Sequence, residues 1–371
     1  MTRLFRGAVF ILAAASFAEN TVHGSQKITC KNARGSDVDW FFLYKLPKTK
    51  NKKPMFMELK GEEMLYFDSK TKENVWTLLR GSIYEVVNNP VWETLRPMYE
   101  SMPNVAYAAY NDQLPNGFRG TRGGHSKGIL LAGPGRRKAG AAWLQHSVPK
   151  FVGDVKNSYE YPPSGRENAQ LFFCISIGLQ LVETVASHLQ VQGANVYQTN
   201  PVPWTEQYPT FWSILNKRYP SRYGSNLSID FISTSKGKRI TTIAKPPNWK
   251  QDIYTQALVY QMNDSLIVQS WRNGAGGAQT KHCTTSYNVM DVTTIGVNLT
   301  VGYAEFSSSE DHSKWCVARE KGEFCFSSLN RMNSPITRGG EVTCLMDVSL
   351  ASLYRNSIVA SSTCNHEELY N

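Results

Sequence analysis

The 371 residues contain no Cys-x-x-Cys pair, no Gly-rich phosphate loop ending in Lys-Ser or Lys-Thr, no EF-hand loop and no His-Glu-x-x-His segment. Zinc ribbons, P-loop nucleotide hydrolysis, EF-hand calcium binding and zincin-type proteolysis therefore have no sequence support. Histidine is scarce, at seven residues. Past the N-terminus no apolar run approaches the length of a membrane span. Acidic residues are outnumbered, 30 against 40 Lys and Arg, which excludes an acidic surface and favours a polyanion or an anionic membrane as partner. Hydrophobic residues make up 41% and charged residues 19%, enough apolar material for a packed core and too little charge for disorder.

The N-terminus reads as a secretory leader. Arg3 and Arg6 precede a short apolar run from Gly7 to Ala18, and Ser16 and Ala18 are the small residues a cut before Glu19 requires. Residues 1–18 form the expected signal peptide, with an alternative cut after Gly24. Secretory entry places Cys30, Cys174, Cys283, Cys316, Cys325, Cys344 and Cys364 in an oxidising compartment, and an odd number leaves at least one unpaired within the chain. Spacing alone does not give the pairing. Asn226, Asn263 and Asn298 each head a glycosylation sequon.

A Pro-rich break at Thr199-Asn-Pro-Val-Pro-Trp204 divides the mature chain into halves, residues 19–200 and 201–371. Residues 226–234 and 266–271 read as strands. Residues 91–102, 249–262 and 345–360 read as helices, and residues 170–191 carry helix-like apolar spacing. The mixture predicts an α/β or α+β fold.

Each half holds the same small unit. Gly124-His-Ser-Lys-Gly-Ile-Leu-Leu131 enters a strand, passes a Gly-rich turn and returns through Ala141-Ala-Trp-Leu-Gln-His146. Asp311-His-Ser-Lys-Trp-Cys-Val317 does likewise, turning at residues 318–323 and returning through Phe324-Cys-Phe326. In extended chain, residues i and i+2 share a face, so His125 projects with Lys127 and His312 with Lys314. If the halves pack about a pseudo-two-fold axis, both pairs meet in one cleft. Two lysines then supply fixed positive charge for a phosphate, and two imidazoles a nucleophile and a proton donor. One His-x-Lys alone is a chance motif. Two in matching contexts, one per half, point to metal-free phosphodiester cleavage. The pairing of one neutral imidazole with one imidazolium is easiest near or below the ordinary histidine value of about 6.5.

These residues resemble the deoxyribonuclease II family, acid nucleases of the phospholipase D superfamily. The likeness runs over essentially the whole mature chain. It rests on Asp39-Trp-Phe-Phe-Leu-Tyr-Lys-Leu-Pro47, Tyr110-Asn-Asp-Gln-Leu-Pro115, Gly123-Gly-His-Ser-Lys-Gly128 and Trp143-Leu-Gln-His-Ser-Val-Pro149, and most of all on Glu310-Asp-His-Ser-Lys-Trp-Cys316, Leu329-Asn-Arg331 and Arg338-Gly-Gly340. Ser126 stands where the family has Thr, and Gly123 where it has Arg, with Arg122 adjacent. The resemblance implies two phospholipase D-like halves, each a mixed sheet flanked by helices. It implies His125, Lys127, His312 and Lys314 as catalytic residues, His125 as nucleophile and His312 as acid and base, with no metal and no cofactor. His146 and Asn330 are expected to support the histidines from behind. The implied disulfides are Cys30–Cys174, Cys283–Cys364 and Cys325–Cys344, with Cys316 free. The implied substrate is DNA, double-stranded, met in a lysosome or outside the cell. A homologue that binds without turnover and a phospholipase D acting on lipid head groups are the alternatives; the intact His-Lys pairs weigh against the first, the Asp-His-Ser-Lys-Trp-Cys and His-Ser-Val-Pro stretches against the second. Three basic clusters are candidates for DNA contact or merely solvated turns: Lys45 with Lys48, Lys50, Lys52 and Lys53; Arg136-Arg-Lys138; and Lys236 with Lys238 and Arg239.

Overall fold

The computed structural model describes residues 27–134, 140–274, 276–333 and 335–364. The expected leader, the Arg136–Lys138 turn, His23 and His366 lie outside the described residues. The first half contributes β1 (Trp40–Lys45), β2 (Met64–Asp68), β3 (Thr77–Leu78), β4 (Ala106–Tyr110), β5 (Gly128–Gly133), β6 (Gly140–His146), β7 (Gln170–Gly178) and β8 (Val196–Asn200). The second contributes β9 (Ser228–Ser233), β10 (Arg239–Lys245), β11 (Leu266–Gln269), β12 (Val289–Leu299), β13 (Gly302–Ser307), β14 (Trp315–Ala318), β15 (Glu323–Ser327), β16 (Gly340–Met346) and β17 (Ile358–Ser361). The helices are α1 (Pro90–Tyr99), α2 (Val182–Val191), α3 (Pro209–Leu215), α4 (Val259–Met262) and α5 (Val348–Asn356). The fold is a mixed α+β arrangement of two large sheets and few helices.

The sheets run β3-β2-β1-β7-β6-β5-β4-β8 and β13-β12-β11-β14-β15-β16-β10-β9, with β17 added on β12. Their centres match: β1-β7-β6-β5-β4 corresponds to β10-β16-β15-β14-β11, and β5 and β14 are the strands that follow the two His-Ser-Lys segments. The edges differ, since β8 joins β4 antiparallel whereas β12 joins β11 parallel.

Strand β1 shows how the layers form. All six of its residues are buried, so it reads as a continuous apolar run rather than an alternation. Trp40, Phe42 and Tyr44 point into the core shared by the two sheets, while Phe41 and Leu43 point to the outer face of the first. In the shared core Phe42 stacks on Phe173 at 4.1 Å and meets Phe324 of the second half edge-on at 5.0 Å. Val91, Leu95 and Met98 of α1 cover the outer face of the first sheet, and residues 253–262 cover that of the second. Asn89 starts α1 by accepting from the backbone N–H groups of Val91 and Trp92, and Pro90 sits at its first position.

Three expected helices change. Within residues 170–191, Gln170–Gly178 is a central strand and only Val182–Val191 is α-helix. A strand buried on both faces carries no alternation, so its apolar run imitates a buried helix. Residues 345–360 divide into the end of β16, α5 and the start of β17, with Asp347 capping α5 through Leu350 N–H. Residues 249–262 turn helical only near Tyr254, through one π turn into α4.

Cys30–Cys174, Cys283–Cys364 and Cys325–Cys344 are bonded, and Cys316 is free and buried. Cys325 and Cys344 face each other across β15 and β16, with Cys316 opposite Cys325 on β14. Asn226, Asn263 and Asn298 are all exposed. Among the described residues no helix is long and apolar enough to cross a membrane.

Candidate active site

Each His-Ser-Lys segment lies in extended chain just before its strand, and the main chain stitches it to the opposite half. His125 N–H donates to Gly339 O at 2.8 Å and Gly339 N–H to Gly123 O at 3.0 Å. His312 N–H donates to Ala169 O at 2.9 Å and Ala169 N–H to Glu310 O at 2.8 Å. These contacts leave no room for side chains at the first crossing. A Cβ on Gly124 would sit 2.5 Å from Gly193 O, and one on Gly339 only 2.0 Å from Gln192 O. Thus each segment enters beside the residue that precedes the third strand, β16 or β7, of the other half.

The imidazoles are held by the same exchange. His125 Nδ1 lies 2.5 Å from Ser328 O, and His312 Nδ1 lies 3.0 Å from Ser147 O. A carbonyl only accepts, so each Nδ1 carries the proton and each Nε2 presents a lone pair in the neutral ring. The serines are fixed in turn. Ser147 Oγ accepts from Leu171 N–H at 2.9 Å, and Ser328 Oγ accepts from Glu341 N–H at 2.9 Å. These serines end the returning strands of the two hairpins, one residue past the positions whose N–H groups pair with Lys127 O and Lys314 O.

Lys127 and Lys314 are buried, and each ammonium donates to the carbonyl of its own histidine, at 3.2 Å and 2.5 Å. Asp112, from the loop after β4, is ion-paired with Lys127, accepts from Arg338 at 3.0 Å, and has Oδ2 3.8 Å from His125 Nε2. Burial alone would raise the Asp112 carboxyl, yet Lys127, His125 and Arg338 together bring it well below the usual carboxylate range. Burial, then Lys127, hold the His125 imidazole well below its ordinary value, against the pull of Asp112. Burial, then Lys314, Lys127 and His125 itself, do the same to His312. The His125 ring is anchored on the second half's hairpin at Ser328 and the His312 ring on the first half's hairpin at Ser147, so each imidazole sits against the other half. Lys314 is pushed far below the usual lysine range by burial and by Lys127. On the other side Asp311 is held by Tyr44 Oη at 2.5 Å and by Ser313 N–H at 2.8 Å, and Trp271 packs 5.2 Å from the His312 ring.

Each His-Lys pair is thus anchored against the hairpin of the other half. His146 is fully buried between Phe151 and Phe172; its Nδ1 accepts from Val148 N–H at 3.2 Å and its Nε2 has no hydrogen-bond partner. Asn330 is half-buried in a small recess with Lys245 and Asp252, its Oδ1 without a partner. Lys45 is no surface cation but fully buried at the end of β1, apart from its exposed neighbours Lys50, Lys52 and Lys53. Lys236 is exposed and Lys238 half-buried on the turn before β10. Sequence reasoning missed Asp112 and Arg338 as members of the site. Both stood inside stretches quoted for the family likeness, but neither sits at a spacing that signals contact with His125. Among the described residues no cluster of His, Cys, Asp and Glu could hold a metal ion.

A deoxyribonuclease II family model matches residues 29–364, which includes every residue of this site. The chain belongs to the deoxyribonuclease II family. It is 32% identical over 346 residues to cell-death-related nuclease 7 of Caenorhabditis elegans, covering 92% of this chain and 89% of that one. It is 30% identical to deoxyribonuclease-2-alpha of Sus scrofa, covering 92% of each, and 28% identical to deoxyribonuclease-2-beta of Homo sapiens, covering 98% of each. The protein is a deoxyribonuclease II-type nuclease.

Proposed function

We infer that this nuclease hydrolyses DNA phosphodiesters without a metal, leaving 3′-phosphate and 5′-hydroxyl ends through a phosphohistidine. The observation that carries the reading is the exchanged anchoring of the two imidazoles on Ser328 O and Ser147 O, which commits both Nδ1 atoms and leaves Nε2 of each ring to do the chemistry, with Lys314 Nζ 3.5 Å from that of His312. His125 Nε2 attacks phosphorus, and the P–O5′ bond breaks as His312 Nε2 gives its proton to the departing oxygen. Water then attacks the phosphohistidine, His312 takes a proton from it, and the P–N bond breaks to release the 3′-phosphate. The assignment follows exposure: His125 is buried beside Asp112, whereas His312 keeps part of its surface open, as a residue that exchanges protons with water should. Lys127 and Lys314 stabilise the charge that grows on the phosphoryl oxygens. The matching strand orders support two phospholipase D-like halves, 19–200 and 201–371, related by a pseudo-two-fold axis.

Acid conditions fit the electrostatics. Both imidazoles are held neutral by burial and by the lysines. A proton reaches His312 only at low pH, or when a phosphate anion offsets the lysines. The disulfides and the exposed sequons support passage through the secretory pathway to a lysosome or the outside. The test is cleavage of end-labelled DNA at acid pH in excess chelator. Retained activity with 3′-phosphate ends is expected; loss of activity that a divalent ion restores overturns the mechanism. Phosphatidylcholine in the same buffer should remain intact.

A further inference from the structure

We propose that the cleft beside the first His-Lys pair binds one unpaired nucleotide of the DNA strand next to the bond that is cut; the proposal rests on the nuclease reading of the site. The cleft holds about 810 Å³, large for one nucleotide, and lies between the loop that follows β4, the edge strand β8 and the segment after α3. The loop that forms one wall, lining the cleft from Leu114 to Arg122, is anchored at the candidate site at both ends. Asp112, which pairs with Lys127, starts the loop, and Gly124, whose carbonyl accepts from Arg338 at 2.7 Å, ends it.

The lining has the groups a nucleotide needs and that the protein leaves unsatisfied. The Phe118 ring is 70% exposed on the rim, a large apolar surface open to the cleft. Asn195 is only 7% exposed. Its Oδ1 accepts from Arg122 N–H at 2.9 Å, which fixes the amide so that Nδ2 is left as a buried donor without a partner. Gly120 permits this approach, because a Cβ there would lie 2.1 Å from Asn195 Cγ. The Arg122 guanidinium lies 3.4 Å over the Tyr219 ring, so one face of a cation is held in the cleft wall. Arg119 and Lys217 add charge to the lining, against a single carboxylate, Asp154. An aromatic face with an amide donor and clustered cations is the chemistry of a base and its phosphate. The Phe118 ring can stack only on a base that has left its pair, so the occupant is a splayed nucleotide rather than an intact duplex.

The test compares Phe118→Ala and Lys217→Ala with the parent on two substrates, a thymidine dodecamer and bis(p-nitrophenyl) phosphate, which has no flanking nucleotide. Phe118→Ala should raise KM for the dodecamer about tenfold, the loss expected for one stacked base, Lys217→Ala should raise it less, and both should leave kcat/KM for bis(p-nitrophenyl) phosphate unchanged. Unchanged KM for the dodecamer, or an equal loss on both substrates, overturns the proposal. Binding of the fluorescein-labelled dodecamer to His312→Ala protein, with and without Phe118→Ala, keeps the two readings separable. If the parent cleaves neither substrate, the nuclease mechanism fails, and equal binding by the two proteins still overturns the cleft.

Discussion

Lys45 and Lys245 end equivalent strands, β1 and β10, and brace equivalent loops. Lys45 Nζ donates to Arg166 O at 3.0 Å and Asn168 O at 2.6 Å, and Lys245 Nζ donates to Ile336 O at 2.9 Å and Arg338 O at 2.7 Å. The next carbonyl in each loop, Ala169 O or Gly339 O, receives the N–H of the opposite half's histidine. A lysine of one half thereby sets the position of the other half's imidazole. Burial lowers the two lysines to about 7 and about 8, so at acid pH both are charged and both loops are braced.

Lys45→Met should displace His312, and Lys245→Met should displace His125. A misplacement on the order of 1 Å at the reacting atoms costs about a hundredfold in rate, so kcat should fall strongly while KM for DNA changes little. Steady-state kinetics on oligonucleotides checks this. Equal losses in kcat and in affinity would mean a general structural role.

Asp112→Asn should destabilise the protein by about 3–5 kcal/mol, because the buried Lys127 would lose the carboxylate it is paired with. The Asp112 carboxyl is held below its unfolded value, so its stabilising contribution is complete above about 3.9 and is lost as pH falls below that. The parent should therefore keep its melting temperature near pH 5 and lose it toward pH 3. Thermal melts across that range decide it, and the variant should show a shallower acid slope.

The rate should fall as pH rises within the acid range, already below the ordinary histidine value of about 6.5, since His312 must be protonated in the first step and is held well below that value by burial, Lys314, Lys127 and His125. Removing one neighbouring cation shifts that limb. Lys314→Ala should slow turnover and also move the alkaline limb of kcat/KM to higher pH, because His312 then binds its proton more readily. A limb that stays in place would mean that another group limits the rate.

Cys316 should resist alkylation in the native protein. Its thiol is fully buried, and burial pushes it well above its ordinary value, so almost no thiolate forms. Iodoacetamide should label one thiol per chain only after unfolding, and mass spectrometry of the non-reduced digest should find it on Cys316.

Much of this protein is legible in its sequence because its chemistry is local. Two His-Ser-Lys segments at strand entries are short patterns, and extended geometry alone puts each histidine beside its own lysine. The helix α1 announces itself through the apolar spacing of residues 91–102. Strand β7 does not, because burial on both faces erases the period-two signal.

What the sequence by itself determined is the family, the mixed fold and the two His-Lys pairs as candidate residues, since each of those rests on residue type and order. Only the tertiary structure decided who holds whom. The His125 ring is fixed by Ser328 and the His312 ring by Ser147, with partners separated by 203 and 165 residues. Asp112 and Arg338 meet across 226 residues, and Lys45 acts through Arg166 and Asn168 on a histidine of the other half. Backbone carbonyls supply both ring anchors, and a carbonyl is the same group in every residue. No residue type marks such a contact, and only the packing of one sheet against the other brings it about.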